Sequence, residues 1–393
     1  MPWYIPLSIL TLSAFLMELC FTMISPFLPV YLVQELSVPS AEVHTWAGAV
    51  YSVTFFISGF MGPVWGAVAD RKSRKLMAIR ASVCLAITYV MCGLVTTPGE
   101  LFAVRFLQGF SAGLYPALLS IVAVSMPAAK IGLAMGLMQG GMTVGGIAGP
   151  FCGGVLAEFF GMRPAFFVAG VALFVVAFLV IFLIKEAPHK PSTEPLKLFD
   201  FSVIRSKTIM RLLLVSTVIY ASLFSIQPIL PLYIAELNGS MDSVMLVAGS
   251  VFSVCGVSIM IASPLIGAAG QKWGFSKALI VCLLLSGVLI AAQVLASTVE
   301  GFTFWRFIGG FAVAGLIPTV NSLLSVHTPE EVRGKVFGFA FLFGHIGMAG
   351  GPMVASELSA HVGYAPVIAL SGFILLPLAL YLVWVVRNSS VRS

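Results

Sequence analysis

Long apolar runs separated by short polar breaks dominate the chain, and twelve of these runs reach the length of a membrane-spanning helix. Such a helix needs roughly 20 mostly apolar residues. The pattern therefore predicts an all-α membrane protein. The predicted spans are Ile5–Leu32, His44–Ala67, Leu76–Thr96, Leu101–Val124, Gly132–Phe159, Pro164–Ile184, Ile209–Ala235, Val244–Ala268, Ala278–Leu295, Phe302–Leu324, Val336–Ser356 and Tyr364–Val386.

Composition supports a lipid-facing surface and argues against several other classes. The chain is 59% hydrophobic and 9% charged, whereas soluble domains carry about 25% charged residues. Its basic residues lie in short loops between apolar runs, so nucleic acid is not expected as a partner. No phosphate-binding loop, H-E-x-x-H or G-x-S-x-G motif occurs in a fitting context, so no enzyme is predicted. The six cysteines lie inside apolar runs without metal-ligand spacing, so neither a metal nor a cofactor is expected.

Basic residues are distributed unevenly between the two sides of the predicted bundle. When the amino terminus is placed in the cytoplasm, Arg105, Arg163 and Arg306 are on the outer side, and the other 18 of the 21 Lys and Arg residues are cytoplasmic. Such an excess of cytoplasmic Lys and Arg sets orientation. The distribution predicts a bacterial inner-membrane protein with both termini in the cytoplasm.

The chain divides into two related halves. Residues 185–207 contain three prolines among mixed charges and have the composition of a linker between residues 1–184 and 208–393. SPFLPVYL from Ser25 recurs as QPILPLYI from Gln227, and RFLQGF from Arg105 recurs as RFIGGF from Arg306. The offset stays at 201 or 202 over nearly the whole half. The repeat predicts two pseudo-symmetric bundles of six helices each.

Two local motifs carry a family resemblance. The sequence GAVADRKSRK from Gly66 resembles the signature G-x-x-x-D-R-x-G-R-K/R, with Ser73 where glycine is usual. The sequence GGIAGPFCGG from Gly145 matches G-x-x-x-G-P-x-x-G-G. With the internal repeat, these motifs resemble the major facilitator superfamily over the whole chain. The likeness is greatest to its twelve-span bacterial drug:proton antiporters of the MdtG-like multidrug resistance group.

The resemblance implies roles for both motifs and a cavity between the halves that opens alternately to either side. It implies a conformational latch formed by Gly62, Gly66, Asp70, Arg71 and Arg74. It also implies an antiporter motif that favours export, formed by Gly145, Gly149, Pro150, Gly153 and Gly154. The alternatives are a solvated loop that only sets orientation, and generic packing of small residues.

Glu18 is the only acidic residue in the middle of a predicted span. Intramembrane carboxylates are costly and mark functional sites. Because burial disfavours the charged form and a nearby cation favours it, alternating exposure would change the protonation of Glu18. Arg105 begins a sequence resembling the family coupling motif R-x-x-x-G and is the predicted cation. His345 is a further proton-coupling candidate, with a packing role as the alternative.

The predicted function is secondary active transport by a monomer. A proton gradient drives the export of amphipathic drugs or related small molecules. The alternative is proton-linked transport of one metabolite, such as a sugar or an amino-acid derivative. A sensor or scaffold without transport is the third possibility, against which Glu18, Arg105 and Asp70 argue. Ten residues are candidates for lining the substrate cavity, and for each of them packing in the core or facing lipid is an equal alternative. They are Met17, Phe21, Tyr115, Met138, Gln139, Met142, Tyr220, Phe224, Gln227 and Asn321.

Overall fold

The structure is a computed structural model that describes residues 3–69, 71–185 and 205–390. Its regular elements within these ranges are helices, and twelve of the described segments are long and apolar enough to span a membrane. The prediction of an all-α membrane protein with twelve spans is confirmed. Most of the predicted linker, residues 185–207, lies outside the described residues.

Seventeen α-helices occur in the described ranges, because several spans are interrupted. They are α1 Tyr4–Met23, α2 Leu28–Gln34, α3 Val43–Ala69, α4 Arg74–Leu94, α5 Pro98–Phe110, α6 Leu114–Ser125, α7 Ile131–Phe160, α8 Met162–Leu183, α9 Lys207–Ser225, α10 Leu230–Asn238, α11 Val244–Trp273, α12 Phe275–Ala292, α13 Val299–Val313, α14 Leu316–Val326, α15 Arg333–Val362, α16 Tyr364–Phe373 and α17 Leu375–Ser390.

Proline explains why the first span is shorter than predicted. The apolar run predicts one helix over Ile5–Leu32, but α1 ends at Met23 and α2 begins at Leu28. Pro26 lies in the break and Pro29 in the first turn of α2. Proline has no backbone N–H and clashes with the preceding helical turn, so it is tolerated at a helix start and not in its interior. The same break recurs between α9 and α10, as the repeat requires.

Helix starts are capped at corresponding positions of the two repeats. The Thr97 hydroxyl accepts a hydrogen bond from the Glu100 backbone N–H at 3.2 Å, and the Glu100 carboxylate accepts from the Thr97 N–H at 3.3 Å. Thr298 accepts from the Gly301 N–H at 3.2 Å at the start of α13. These caps satisfy donors that have no partner within the helix. They fix the start of α5, which carries Arg105.

The packing of the helices divides the chain into two compact units. Unit 1 contains residues 1–38, 53–199 and 245–253, and unit 2 contains residues 39–52, 200–244 and 254–393. In unit 1, α1 packs most extensively along α7, and α4 along α8. In unit 2, α9 packs along α15, while α12 contacts α13, α16 and α17.

Candidate functional site

Glu18 lies on α1 beside a position without a side chain. A Cβ atom added at Gly146 on α7 would lie 3.6 Å from Glu18 Cγ and 3.8 Å from its Oε1 atom. The Glu18 carboxyl group therefore lies against bare backbone of α7 and is neither fully buried nor exposed. Gly146 is not one of the defining glycines of the antiporter motif, so the motif alone did not indicate this contact.

Arg105 is buried in unit 1, with only 4% of its surface exposed. Its Nη1 atom donates a hydrogen bond to Gln108 Oε1 at 2.6 Å, and its backbone carbonyl accepts one from the Thr54 hydroxyl at 3.0 Å. Buried charges require such partners because desolvation is costly. The Tyr89 hydroxyl, which donates to the Cys20 carbonyl at 3.1 Å, lies within electrostatic range of both Arg105 and Glu18.

A second polar pair lies near Glu18. The Tyr115 hydroxyl on α6 donates a hydrogen bond to Gln139 Oε1 on α7 at 3.0 Å. Tyr115 is also within electrostatic range of Glu18. The structure thus brings two of the predicted cavity residues, Tyr115 and Gln139, into direct contact within unit 1.

The apolar candidates of unit 1 have different environments. Phe21 is 36% exposed and makes an edge-to-face contact with Phe55, with ring centroids 5.7 Å apart. Met17 and Met142 are half-buried. Met138 has no exposed surface, so its prediction as cavity lining is wrong in this conformation. It lies on the α7 face that packs into the core of unit 1.

The candidates in unit 2 are spread over several elements: Tyr220 and Phe224 lie on α9, His345 on α15, Gln227 in the break between α9 and α10, and Asn321 on α14. The Tyr220 ring packs on Gly344, where an added Cβ would lie 2.9 Å from Tyr220 Cε2, and its centroid is 6.2 Å from that of Phe224. The Nδ1 atom of His345 is 2.9 Å from the Phe341 carbonyl, and the centroids of the two rings lie 3.9 Å apart at an interplanar angle of 31°. This geometry favours the packing role for His345. Gln227 is half-buried and Asn321 is exposed.

The glycines of α7 allow its backbone to touch that of α1. Added Cβ atoms at Gly145 and Gly153 would collide with the carbonyl oxygens of Phe15 and Met23. An added Cβ at Gly149 would lie 2.6 Å from the Leu19 carbonyl oxygen. Small residues permit this approach where larger ones prevent it. The close packing predicted for these three glycines is therefore present.

Another face of α7 packs on residues 245–253, which also belong to unit 1. An added Cβ at Gly154 would collide with the Met245 carbonyl, and one at Gly249 with the Pro150 carbonyl. The Ser253 hydroxyl donates a hydrogen bond to the Ile147 carbonyl at 2.5 Å. Unit 2 repeats this arrangement, since the Ser52 hydroxyl donates to the Ala349 carbonyl at 2.6 Å.

Comparison with known proteins agrees with the fold and the internal repeat. The family model described as Major Facilitator Superfamily matches residues 10–248 and residues 212–393. The chain belongs to the major facilitator superfamily. Multidrug resistance protein MdtG of Salmonella arizonae is 32% identical over 384 residues, covering 96% of this chain and 95% of that protein. The MdtG protein of Yersinia enterocolitica is 32% identical over 396 residues, covering 100% and 95% respectively.

Solved structures show the same fold at low sequence identity. The nucleoside transporter NupG superposes with a TM-score of 0.79 at 17% identity, over 96% of this chain and 98% of that chain. The human organic anion transporter MFSD10 superposes with a TM-score of 0.70 at 19% identity, over 97% and 99%. As a member of this superfamily with MdtG relatives over almost its whole length, the chain is a transporter that spans the membrane many times.

The superfamily signature loop departs from its usual pattern at a position with a clear structural role. Ser73, which replaces glycine, is the N-cap of α4, and its hydroxyl accepts a hydrogen bond from the Leu76 N–H at 2.9 Å. Arg74 is the first residue of α4, so it does not lie in the loop as predicted. Arg71 lies in a turn, where its N–H is 3.2 Å from the Val68 carbonyl. Asp70, the predicted anion of the latch, lies outside the described residues.

Gly62 and Gly66, the two glycines of the predicted latch, lie in the last turns of α3, which ends at Ala69. Gly62 is half-buried. A close approach of a neighbour at Gly66 is not found, because an added Cβ there would have nothing within 4 Å. The reason is that Gly66 lies on the exposed face of the last turn of α3. The close approach that a glycine of the latch would allow is therefore absent at Gly66 among the described residues in this conformation.

Arg80 and Trp65 together hold the break between α5 and α6, and no sequence motif indicates this pair, here named the clamp. Gly113, with φ of +108°, starts α6 in a left-handed conformation that favours glycine. The Arg80 Nη2 atom donates to the Ala112 carbonyl at 2.8 Å, and the Trp65 indole N–H donates to the Phe110 carbonyl at 2.8 Å. The guanidinium lies 3.6 Å from the Trp65 ring centroid, a cation–π geometry. The clamp satisfies carbonyl groups that the helix break leaves without partners.

The second repeat packs Cys282 and Ile266 against the equivalent break, where the Ser263 hydroxyl donates a hydrogen bond to the Ala314 carbonyl at 3.4 Å. An added Cβ at Gly315 would lie 2.5 Å from Cys282 Sγ and 2.6 Å from Ile266 Cγ2. By the offset of 201 or 202, Ile266 corresponds to Trp65 and Cys282 to Arg80. Comparing the two repeats at these positions is the signal that would have revealed the clamp.

Proposed function

We propose that this transporter exports amphipathic compounds in exchange for protons, with Glu18 as the coupling carboxylate. The observation that supports this most is the position of Glu18 against the bare α7 backbone at Gly146. An ionisable group inside a membrane span is expected to lie on a substrate or proton path. The MdtG relatives, named as multidrug resistance proteins, support export of drugs.

The surroundings of Glu18 suit exchange between a proton and a substrate. Arg105 is a permanent cation buried in the same unit, because the guanidinium group does not lose its proton in proteins. It favours the charged carboxylate, whereas exclusion of water favours the protonated form. Alternating access would change which of the two effects prevails. A cationic or polar substrate that reaches the Tyr115–Gln139 pair would then compete with the proton.

The side chains near Glu18 also suit amphipathic compounds. Phe21 is 36% exposed and packs edge-to-face with the buried Phe55, and Met17 and Met142 are flexible and polarisable. Methionine adapts to ligands of different shape and makes favourable contacts with aromatic rings. Broad selectivity for aromatic compounds follows from this lining more readily than recognition of one sugar, which would need many fixed hydrogen bonds.

The test uses inverted membrane vesicles and a neutral fluorescent compound, with and without an imposed pH gradient. Glu18→Gln preserves shape but removes titration, so gradient-driven accumulation should be lost while binding of the neutral compound persists. Glu42→Gln is the matched control, since Glu42 is exposed and its carboxylate makes a 3.3 Å hydrogen bond to Trp46. It should transport like the unchanged protein. Gradient-driven transport in the Glu18→Gln protein would refute the coupling role, and saturable binding of a single metabolite would favour the alternative.

We also propose the bacterial inner membrane as the location, with both termini in the cytoplasm. The support is the distribution of basic residues. Met241 is 42% exposed between α10 and α11, and Ser206 is exposed before α9. In spheroplasts, an impermeant maleimide should label a Met241→Cys protein directly and a Ser206→Cys protein only after permeabilisation. The reverse pattern would contradict the proposed orientation.

A further inference from the structure

A cavity of about 280 Å³ lies within unit 2, and none of its lining residues belongs to unit 1. It is formed by the first two turns of α9 and α12, the end of α14 and the second half of α17. Its walls are mainly apolar and its polar groups lie at these ends. The lining residues are Thr208, Arg211, Leu212, Ser276, Leu279, Leu323, His327, Leu382, Val385 and Val386.

Charge at this cavity is positive. Arg211 is half-buried, and no hydrogen bond or ion pair joins it to another described residue. His327 also lines the cavity, and its Nδ1 atom is 2.9 Å from the Leu323 carbonyl. The described lining includes no acidic residue, and Glu330, the nearest acid in sequence after His327, does not contribute to it. A guanidinium above an apolar crevice is complementary to an anion that carries a hydrophobic chain.

We propose that this cavity binds the headgroup of an anionic phospholipid, with the phosphate on Arg211 and the upper acyl chain along Leu279 and Leu382. Basic pockets between helices at the cytoplasmic side of a membrane bind anionic headgroups. Ligand pockets measure roughly 300–1,000 Å³, so a cavity of about 280 Å³ has room for a headgroup and glycerol but not for a complete lipid. The acyl chains then continue into the bilayer, where the apolar faces of α9 and α17 already lie.

This binding site does not depend on the proposed export activity, and only its assignment to the inner leaflet rests on the proposed orientation. Hydroxyl groups of Thr208 and Ser276 lie in the first turns of α9 and α12. Backbone N–H groups at helix starts favour anions. Arginine matches the geometry of a phosphate with two parallel N–H donors, which lysine does not.

The test measures binding of phosphatidylglycerol and phosphatidylcholine with identical chains to the full-length protein by native mass spectrometry. Phosphatidylglycerol should bind more tightly, and Arg211→Gln should weaken it about tenfold or more, as expected for a charge-assisted hydrogen bond. Lys207→Gln is the matched control, because Lys207 is exposed on the same helix and does not line the cavity. It should weaken binding by at most about fivefold, the effect of a surface charge.

Two further variants separate the pocket from general surface charge. Val386→Trp fills the crevice at a side chain that is 37% exposed, so it should reduce phosphatidylglycerol binding without changing any charge. Arg211→Lys should restore part of the affinity lost in Arg211→Gln. Equal effects of Arg211→Gln and Lys207→Gln, or no loss in Val386→Trp, would overturn the proposal. Displacement of the lipid by soluble glycerol phosphate would also overturn it, in favour of a free phosphate ligand.

Discussion

The close contact between α7 and α1 leads to a quantitative prediction at Gly153. A Cβ atom added there would collide with the Met23 carbonyl oxygen and would lie 2.7 Å from Met23 Cγ. A side chain can rotate away from such a contact, but a backbone carbonyl within a helix cannot. Gly153→Ala must therefore push the two helices apart. Forcing one extra methyl group into a packed interior costs about 1–3 kcal/mol, and this backbone contact places the cost at the upper end.

The same helix provides the control. An added Cβ at Gly140 would have nothing within 4 Å. Alanine is favoured over glycine in a helix by about 0.8–1.0 kcal/mol. Gly140→Ala should therefore stabilise the protein by up to about 1 kcal/mol, while Gly153→Ala gains the same term and still loses about 2 kcal/mol net. The two variants should shift in opposite directions in thermal and denaturant unfolding of the detergent-solubilised protein.

A double substitution distinguishes the backbone from the side chain as the obstacle. Met23→Ala removes the Cγ contact but leaves the carbonyl oxygen in place. Met23→Ala should therefore not rescue Gly153→Ala in a double-mutant cycle. If it restored full stability, or if Gly140→Ala and Gly153→Ala shifted stability equally, the close approach of the two backbones would not be the reason for glycine at this position.

Three other substitutions test contacts of unit 1, each by its unfolding free energy in detergent. Ser73→Ala should cost about 1 kcal/mol and Ser73→Gly only a few tenths, because the hydroxyl caps α4; equal costs would contradict the cap. Arg80→Gln should cost roughly 1–3 kcal/mol, because the Ala112 carbonyl loses its donor; an unchanged stability would contradict the clamp. Arg163→Gln should cost little more than about 1 kcal/mol from its ion pair with Glu35, since both side chains are about one-third exposed. Most of this cost should disappear at high salt, and a cost that is insensitive to salt would show that the ion pair does not contribute.

The sequence alone predicted the features that follow from periodicity and from small residues in a fixed order. The number of spans follows from the length of the apolar runs. Close packing along one face of α7 follows from Gly145, Gly149 and Gly153, which lie at a spacing of four, whereas the identity of α1 as the partner does not. Helix breaks at Pro26 and Pro29 could also have been placed, because the proline signal is local.

Contacts between distant helices could not be placed in the same way. In the sequence, Arg80 is only one of many basic residues on the cytoplasmic side. Its interaction with Trp65 and the Ala112 carbonyl depends on how three helices pack. The contact of Glu18 with Gly146 likewise depends on the rotation of α1 against α7. Apolar periodicity does not define such rotation, because side chains facing lipid and side chains facing a neighbouring helix are equally hydrophobic.

The repeat places different chemistry at one equivalent position in each half, and this asymmetry bears on coupling. With the offset of 202, Glu18 on α1 corresponds to Tyr220 on α9. The carboxyl of Glu18 lies against bare glycine backbone at Gly146, whereas the ring of Tyr220 packs on Gly344, which corresponds to Met142 and not to Gly146. Arginine is retained in both halves, as Arg105 and Arg306, but only the first half supplies an acid at the position on its leading helix. If coupling uses this position, one half carries the proton and the other offers an aromatic surface. A protein in which the two residues are exchanged, as Glu18→Tyr with Tyr220→Glu, should therefore lack gradient-driven transport.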